Sequence, residues 1–483
     1  MSIARNTAYN LIGSAIPLAA SLITVPIYLR VIGLERYGLL AICWVVLGYM
    51  EVFEFGLGTA TAQRLAALKD SGDEIRSEIV WGSLTISVIL GTVGALLLVA
   101  LAPAVLHVGM GDRSAFAQEI AQSVIWLSLL VPLTTCYSAL SGALQGREEF
   151  LRLNLISGSG GALLAVLPLL AAIFIGPQLP VLIVALILVR LIGVASAFIV
   201  CRNAVPLGPP KFPSLELLKP LLNFGGWVTG ESLVAPILLS AEKLALGWLK
   251  TAAAVSLYMI PFNILSRLLM LPQSLAAALI PRLASATSER ADQTSRDALR
   301  NLDLVTTPLA LLAIVTLKPF LIVWIGPTLA AACAPVGILL ITGFWFNSCS
   351  HVPYARLIGG GRPDLVVKLT LAQFAPYLAL LYFAIEHGGV IGAAAAWTLR
   401  SIAELLLFLA ATRQLRRSSE TIALSALFVI AACAIAYLAP FPNPIGTGSV
   451  LVFLTISVAR ILAQARSQSS FELMRLARTW KTR

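Results

Sequence analysis

Runs of twenty or more apolar residues, separated by short polar stretches, recur along the whole chain. They fall at about residues 8–29, 38–60, 79–105, 120–142, 155–176, 180–201, 221–248, 253–281, 302–325, 332–352, 366–385, 389–411, 421–440 and 447–464. A helix rises about 1.5 Å per residue, so roughly 20 such residues cross the hydrocarbon of a bilayer. The runs are continuously apolar and lack the alternation of barrel strands. The pattern predicts an all-α integral membrane protein with about fourteen transmembrane helices.

Composition narrows this further. Of 483 residues, 58% are apolar and 12% charged, about half the charged share of a soluble domain. Fourteen spans take about 280 residues and leave about 200 for loops and ends, which excludes a large soluble domain. Whatever chemistry the chain performs lies within its membrane part. The first run has small residues Ala19, Ala20 and Ser21, but it continues to Leu29, longer than a signal-peptide core; it is read as a retained helix. The six cysteines lie in or at the edges of spans, with no disulfide framework and no CxxC spacing.

The charge balance of +11 raises the question of nucleic acid, and the placement of the cations answers it. With both termini in the cytoplasm, inner loops and tails hold 25 of the 34 Lys and Arg, and outer loops hold five: Arg30, Arg36, Arg113, Lys250 and Lys318. This is the positive-inside pattern. The basic excess therefore reports a multi-pass topology and contact with anionic membrane lipid, and no nucleic-acid partner is expected.

The chain also repeats itself. Gln63-Arg64-Leu65-Ala66 after the second span is matched by Pro281-Arg282-Leu283-Ala284 after the eighth, Gly146-Arg147 by Gly361-Arg362, and Arg190 by Arg400. An even number of spans per copy gives both the same orientation, hence a parallel repeat about an axis along the membrane normal. The expected organisation is an N-lobe of helices 1–6 (residues 1–208), a C-lobe of helices 7–12 (209–412), and two additional helices with a basic cytoplasmic tail (413–483). Two like-oriented lobes suit alternating access, which makes a transporter the leading class.

Three stretches carry a family likeness: Pro26-Ile27-Tyr28-Leu29-Arg30-Val31-Ile32-Gly33 with Tyr37-Gly38, Glu54-Phe55-Gly56-Leu57-Gly58, and Ser266-Arg267-Leu268-Leu269-Met270-Leu271-Pro272 running to Pro281-Arg282-Leu283. In their order along the chain they resemble the Wzx-type oligosaccharide flippases of the polysaccharide transporter family. That family belongs to the multidrug/oligosaccharidyl-lipid/polysaccharide (MOP) exporter superfamily, with the multidrug and toxic compound extrusion (MATE) proteins and the lipid II flippase. The resemblance implies a protein that moves an undecaprenyl-diphosphate-linked oligosaccharide from the inner to the outer leaflet of a bacterial inner membrane, for cell-surface polysaccharide assembly. It also implies a cationic cavity between lobes, with Arg267 at the eighth-helix position where the lipid II flippase carries a cavity arginine. The implied partners are the lipid-linked oligosaccharide and membrane lipids, with a polysaccharide polymerase or glycosyltransferases as candidates. Near Met50-Glu51 this chain departs from that relative, which has paired arginines there.

Ionisable groups inside the bilayer cost at least about 2.5–3.5 kcal/mol each, so they mark cavities or ion pairs. Arg267 lies well inside the eighth span with Asn263 a turn before it, and its fixed donor fork suits a diphosphate; the competing reading is a salt bridge to Glu231 or Glu54. Arg190 and Arg400 are further substrate-contact candidates, but Glu404 four residues after Arg400 offers a helix-face ion pair, and structure is the favoured role for both. Glu54, Glu231 and Glu51 are the coupling-ion candidates, because a carboxylate moved out of water tends to take up a proton; ion pairing is their alternative. Coupling to H+ or Na+ is the only accessory chemistry expected, with no cofactor and no metal. Glu242-Lys243 is read as an anchor at the outer interface, and His107, His351 and His387 as interfacial residues without metal spacing. Trp and Tyr such as Tyr258, Trp345 and Tyr354 are assigned to packing and belts ahead of sugar stacking. Without a phosphate-binding loop or a sizeable extramembrane loop, an ATPase or a polymerising enzyme is disfavoured, so the chain is read as a transporter and not an enzyme. The alternative function is a MATE-like, cation-coupled antiporter of drugs or organic cations.

Overall fold

The computed structural model describes residues 3–50, 56–68, 72–109, 117–205, 207–209, 240–438, 443, 446–460 and 462. Among these the regular structure is helical throughout, with no strand. In chain order the helices are α1 Ile3–Val31, α2 Gly33–Met50, α3 Leu57–Ala67, α4 Asp73–Gly109, α5 Ala117–Gly146, α6 Phe150–Phe174 and α7 Leu179–Ala204. There follow α8 (240–249), α9 Ala252–Leu265, α10 Met270–Ala284, α11 Ser288–Ile325, α12 Pro327–Gly359, α13 Pro363–Ala411, α14 Leu415–Leu438 and α15 Gly446–Arg460. Eight of the described helical stretches are long and apolar enough to cross a membrane. The protein is thus a multi-pass all-α membrane protein, as its hydropathy pattern predicts. Phe174, Val323 and Leu438 are largely exposed, which suits a lipid-facing surface better than a water-facing one.

The second expected span is reshaped. It is described as α2 up to Met50 and as α3 from Leu57, and Gly56 just before α3 has a left-handed φ of 62°, which interrupts helical continuity there. Glu51 and Glu54 fall between them, outside the described residues, and so does Glu231. The eleventh and twelfth spans, which share the label α13, are two helices separated by a sharp kink at Gly389 (φ 55°, ψ −130°).

The chain divides into two compact units, Met1–Ser256 and Leu257–Arg483. In unit 1, α5 packs against α3, α4 and α7, and α6 packs against α1 and α7. In unit 2, α12 packs in the same way against α10, α11 and α13. The fourth and tenth spans therefore hold corresponding central places. Their positions show in burial, since half of the α5 segment and 72% of the α12 segment are enclosed within the protein.

Beside large buried side chains such as Leu140, Leu144 and Trp345, small residues and hydroxyls let the helices approach closely at these centres, because lipid supplies no hydrophobic force between helices and close van der Waals approach must take its place. Ser138, Gly142 and Gly146 recur at four-residue spacing on α5. A Cβ on Gly142 would overlap the Gly58 carbonyl oxygen, and one on Gly146 would press on the Ala62 backbone. Cross-helix hydroxyl bonds reinforce this: Thr61 donates to Ser83 Oγ or accepts from it at 2.8 Å, Thr135 donates to the Ser87 carbonyl at 2.8 Å, and Thr398 donates to the Leu339 carbonyl at 2.9 Å. Gly142→Ala is expected to lower unfolding stability in detergent by about 1–3 kcal/mol, the usual cost of overpacking. Gly160→Ala, at a helical glycine with open space around it, should instead be neutral or stabilising by up to about 1 kcal/mol; equal losses in both variants would refute the close-approach account.

Candidate functional site

Arg267 sits where the eighth span loses its α-helical winding. Pro272 has no N–H to give to the Leu268 carbonyl, and its ring crowds that oxygen. The chain tightens there into a 3₁₀ turn at Ser266–Leu269, which joins α9 to α10. The turn presents Arg267 as an exposed side chain, while Asn263, a turn earlier, is half-buried and accepts the Ser266 hydroxyl on its carbonyl at 3.1 Å. Among the described residues no carboxylate forms an ion pair with Arg267. Its two suggested partners, Glu54 and Glu231, lie outside those residues.

The other two span arginines differ from each other. Arg190 on α7 stands over the Tyr137 ring, with its guanidinium carbon 6.0 Å from the centroid, and its buried Nε has no hydrogen-bond partner among the described residues. Tyr137 is itself tied to Ser157 through hydroxyls 3.1 Å apart. Arg400 on α13 donates to Glu404 at 3.0 Å and covers the Tyr377 ring at 5.3 Å. Both members of that pair are largely buried, at 10% and 17% exposure.

Glu404 also lines a cavity of about 360 Å³ inside unit 2. Gln273, Ala276, Ala277 and Ile280 of α10 form one wall, spaced so that they share a helix face. Ser350, His351 and Tyr354 of α12 form the opposite side. Neither Arg267 nor Arg190 is among the lining residues. His351 sits within α12 with Nδ1 2.8 Å from the Asn347 carbonyl, an intrahelical bond that occupies one ring nitrogen. His387, by contrast, is exposed. Tyr258 and Trp345 are buried packing residues, at 0% and 2% exposure.

Lys243 also departs from its expected place. It is 7% exposed and does not snorkel; Glu242 beside it is fully buried, and its charge offsets the burial of the ammonium. A further charged group escapes a reading by hydropathy alone. Asp303 near the start of the ninth span is fully buried and accepts hydrogen bonds from Thr307 and Ser425, each at 2.8 Å, with Arg460 3.6 Å away. Arg460 also donates to Ser425 at 2.8 Å, so this network fastens α14 and α15 to α11. The signal available was a polar residue on each of three spans, and no one-dimensional pattern shows that they meet. Among the described residues, no three His, Cys, Asp or Glu side chains gather as metal ligands.

The fold is that of a multi-pass, all-α membrane protein whose two units repeat the same internal helix pairing. The chain belongs to the polysaccharide biosynthesis protein family, whose sequence profile matches residues 3–287, more than half of its length. It is 25% identical over 408 residues to a Shigella flexneri protein named "Putative O-antigen transporter", covering 84% of this chain and 97% of that one. The fold is similar to a lipid II flippase MurJ in an inward closed conformation, with TM-score 0.73, 11% identity, and 94% and 99% of the two chains covered. It is also similar to an inward-facing multidrug resistance MATE transporter, with TM-score 0.65, 16% identity, and coverage of 85% and 98%.

The Arg400–Glu404 pair gives a direct test of whether Arg400 serves the fold. Glu404→Gln alone should cost roughly 3 kcal/mol of unfolding stability, because it removes the counter-charge 3.0 Å from a buried cation. The double replacement Arg400→Met with Glu404→Met should recover most of that loss. If the double variant is as unstable as the sum of the two single variants, the pairing is not what holds Arg400 in place.

Proposed function

We propose that the chain is a flippase that carries an undecaprenyl-diphosphate-linked oligosaccharide from the inner to the outer leaflet of a bacterial inner membrane by alternating access, with both termini in the cytoplasm. The observation that carries the reading is Arg267: an exposed guanidinium in mid-span, on a 3₁₀ turn, with no ion-pair partner among the described residues. A cation held at that depth needs an anion or water around it. A diphosphate supplies the anion, and its oxygens match the guanidinium's donor fork. Asn263 adds an amide a turn away.

Family membership and the O-antigen transporter relative support a polysaccharide-precursor lipid as cargo. Arg190, held only by an aromatic face among the described residues, serves as a second anion contact. Arg400 serves chiefly the fold, through Glu404. Translocation makes and breaks no covalent bond, so the protein needs no catalytic group; proton or sodium coupling falls to Glu54 and Glu231, with Glu51 third.

In proteoliposomes, a fluorescent undecaprenyl-diphosphate oligosaccharide should move between leaflets with the parent chain. With Arg267→Ala at matched insertion, movement should slow about tenfold or more, the loss of a charge-assisted hydrogen bond of at least about 1.5 kcal/mol. A parent chain that moves no such lipid but exports an organic cation down a proton or sodium gradient would overturn the reading in favour of the antiporter.

A further inference from the structure

The cavity of unit 2 is chemically unlike the setting of Arg267. Its one lining carboxylate, Glu404, is neutralised by Arg400 at 3.0 Å on the same helix face. That bond uses Oε2 and leaves the other carboxylate oxygen as an acceptor. His351 Nδ1 and the Ser350 hydroxyl both lie 2.8 Å from the Asn347 carbonyl. A carbonyl only accepts, so Nδ1 carries the proton and Nε2 keeps a lone pair. The Gln273 amide, with donors and an acceptor, has no hydrogen-bond partner among the described residues. Along the same wall, Ala276, Ala277 and Ile280 give a smooth apolar strip.

These groups select a ligand by chemistry. The cavity is charge-balanced, so neither a strongly anionic nor a strongly cationic molecule gains from entering it. Acceptors outnumber donors, which favours a ligand rich in O–H or N–H groups. The apolar strip requires that the ligand also have a C–H face. A pyranose ring has all three properties. A volume of about 360 Å³ lies at the small end of the range for ligand sites, about 300–1,000 Å³. It is too wide for a bare cation, which needs several oxygens converging at about 2.3–2.6 Å.

We propose that this cavity, between α10, α12 and α13, is a sugar-binding subsite that holds one or two neutral residues of the transported lipid's glycan, with Gln273, His351 and Glu404 as its hydrogen-bonding groups. The identity of the ligand rests on the flippase reading. The site lies apart from Arg267, so the sugar and the diphosphate are recognised by separate groups.

The test is cavity protection in the full chain. Gln273→Cys places a thiol on the wall, while five of the six native cysteines are buried and one is half-buried, so the parent chain serves as the labelling blank. Maleimide labelling of that variant in liposomes should slow several-fold with an undecaprenyl-diphosphate oligosaccharide and much less with undecaprenyl diphosphate lacking sugar. Gln273→Leu should raise the half-saturating concentration for the oligosaccharide lipid about fivefold, the factor for one neutral hydrogen bond of about 1 kcal/mol, without raising that for the sugarless lipid. Equal protection by both lipids, or protection by sodium or a pH step alone, would overturn the proposal. Absence of protection in a chain that moves the oligosaccharide lipid would remove the subsite and leave the flippase reading intact. Protection by that lipid, or by free monosaccharides, in a chain that moves none would keep the subsite and remove the flippase reading.

Discussion

An ionised side chain in hydrocarbon must be neutralised, hydrated or paid for in instability, and that constraint orders the rest of this structure. It sorts the embedded cations into two groups. Arg400 has Glu404 one turn away, and Arg460 reaches Asp303 across two helices. Such pairs stabilise little against an apolar core of the same shape, yet removing one member is costly. The Asp303 network ties α14 and α15 to α11, whereas the Arg400–Glu404 pair lies within α13 and neutralises the arginine in place. Arg267 and Arg190 have no carboxylate partner among the described residues. The unequal treatment of chemically identical groups is what makes Arg267 and Arg190 the candidates for a site and Arg400 and Arg460 parts of the scaffold.

The same constraint explains the packing. With lipid as the competing solvent, helix association rests on close approach and on cross-helix hydroxyl bonds. Gly58 against Gly142 in unit 1 and Gly359 against the Ile280 backbone in unit 2 are the tight contacts of the two central helices. They sit at the α3–α5 and α10–α12 crossings, the corresponding pairs of the two units. The helical winding itself is interrupted elsewhere, and Arg267 stands at one of the interruptions. Gly56, the 266–269 turn and Gly389 are such breaks.

Much of the fold was legible in the one-dimensional pattern, because roughly 20 apolar residues per crossing is a strong and local signal. The breaks were harder to read. Nothing in the apolar run 38–60 shows that Gly56 adopts a left-handed conformation, and only Pro272 hints at the 3₁₀ turn before it. Arg267 was readable as a candidate because an embedded arginine is conspicuous wherever it falls. The cavity was not, because Gln273, His351 and Glu404 lie on three helices and each has an ordinary local explanation. Lys243 read as snorkelling for the same reason: position along a span does not show which side of a helix meets a neighbour. Asp303 was hidden by standing at a predicted boundary, where a carboxylate is expected to be wet.

A lipid-linked sugar poses two recognition problems that one site solves poorly. Its diphosphate is anionic and calls for cations, whereas its glycan is neutral and calls for balanced donors and acceptors against an apolar face. A cation in contact with the glycan would sit unneutralised whenever the diphosphate was elsewhere, at a cost of at least about 2.5 kcal/mol in hydrocarbon. Neutralising that cation permanently, as Glu404 does for Arg400, removes the cost but also removes the attraction for phosphate. A protein built under this constraint gains by dividing the work. On the flippase reading, paired charges belong beside the sugar and unpaired ones beside the phosphate, and unit 2 carries one arginine of each kind among the described residues, Arg400 and Arg267.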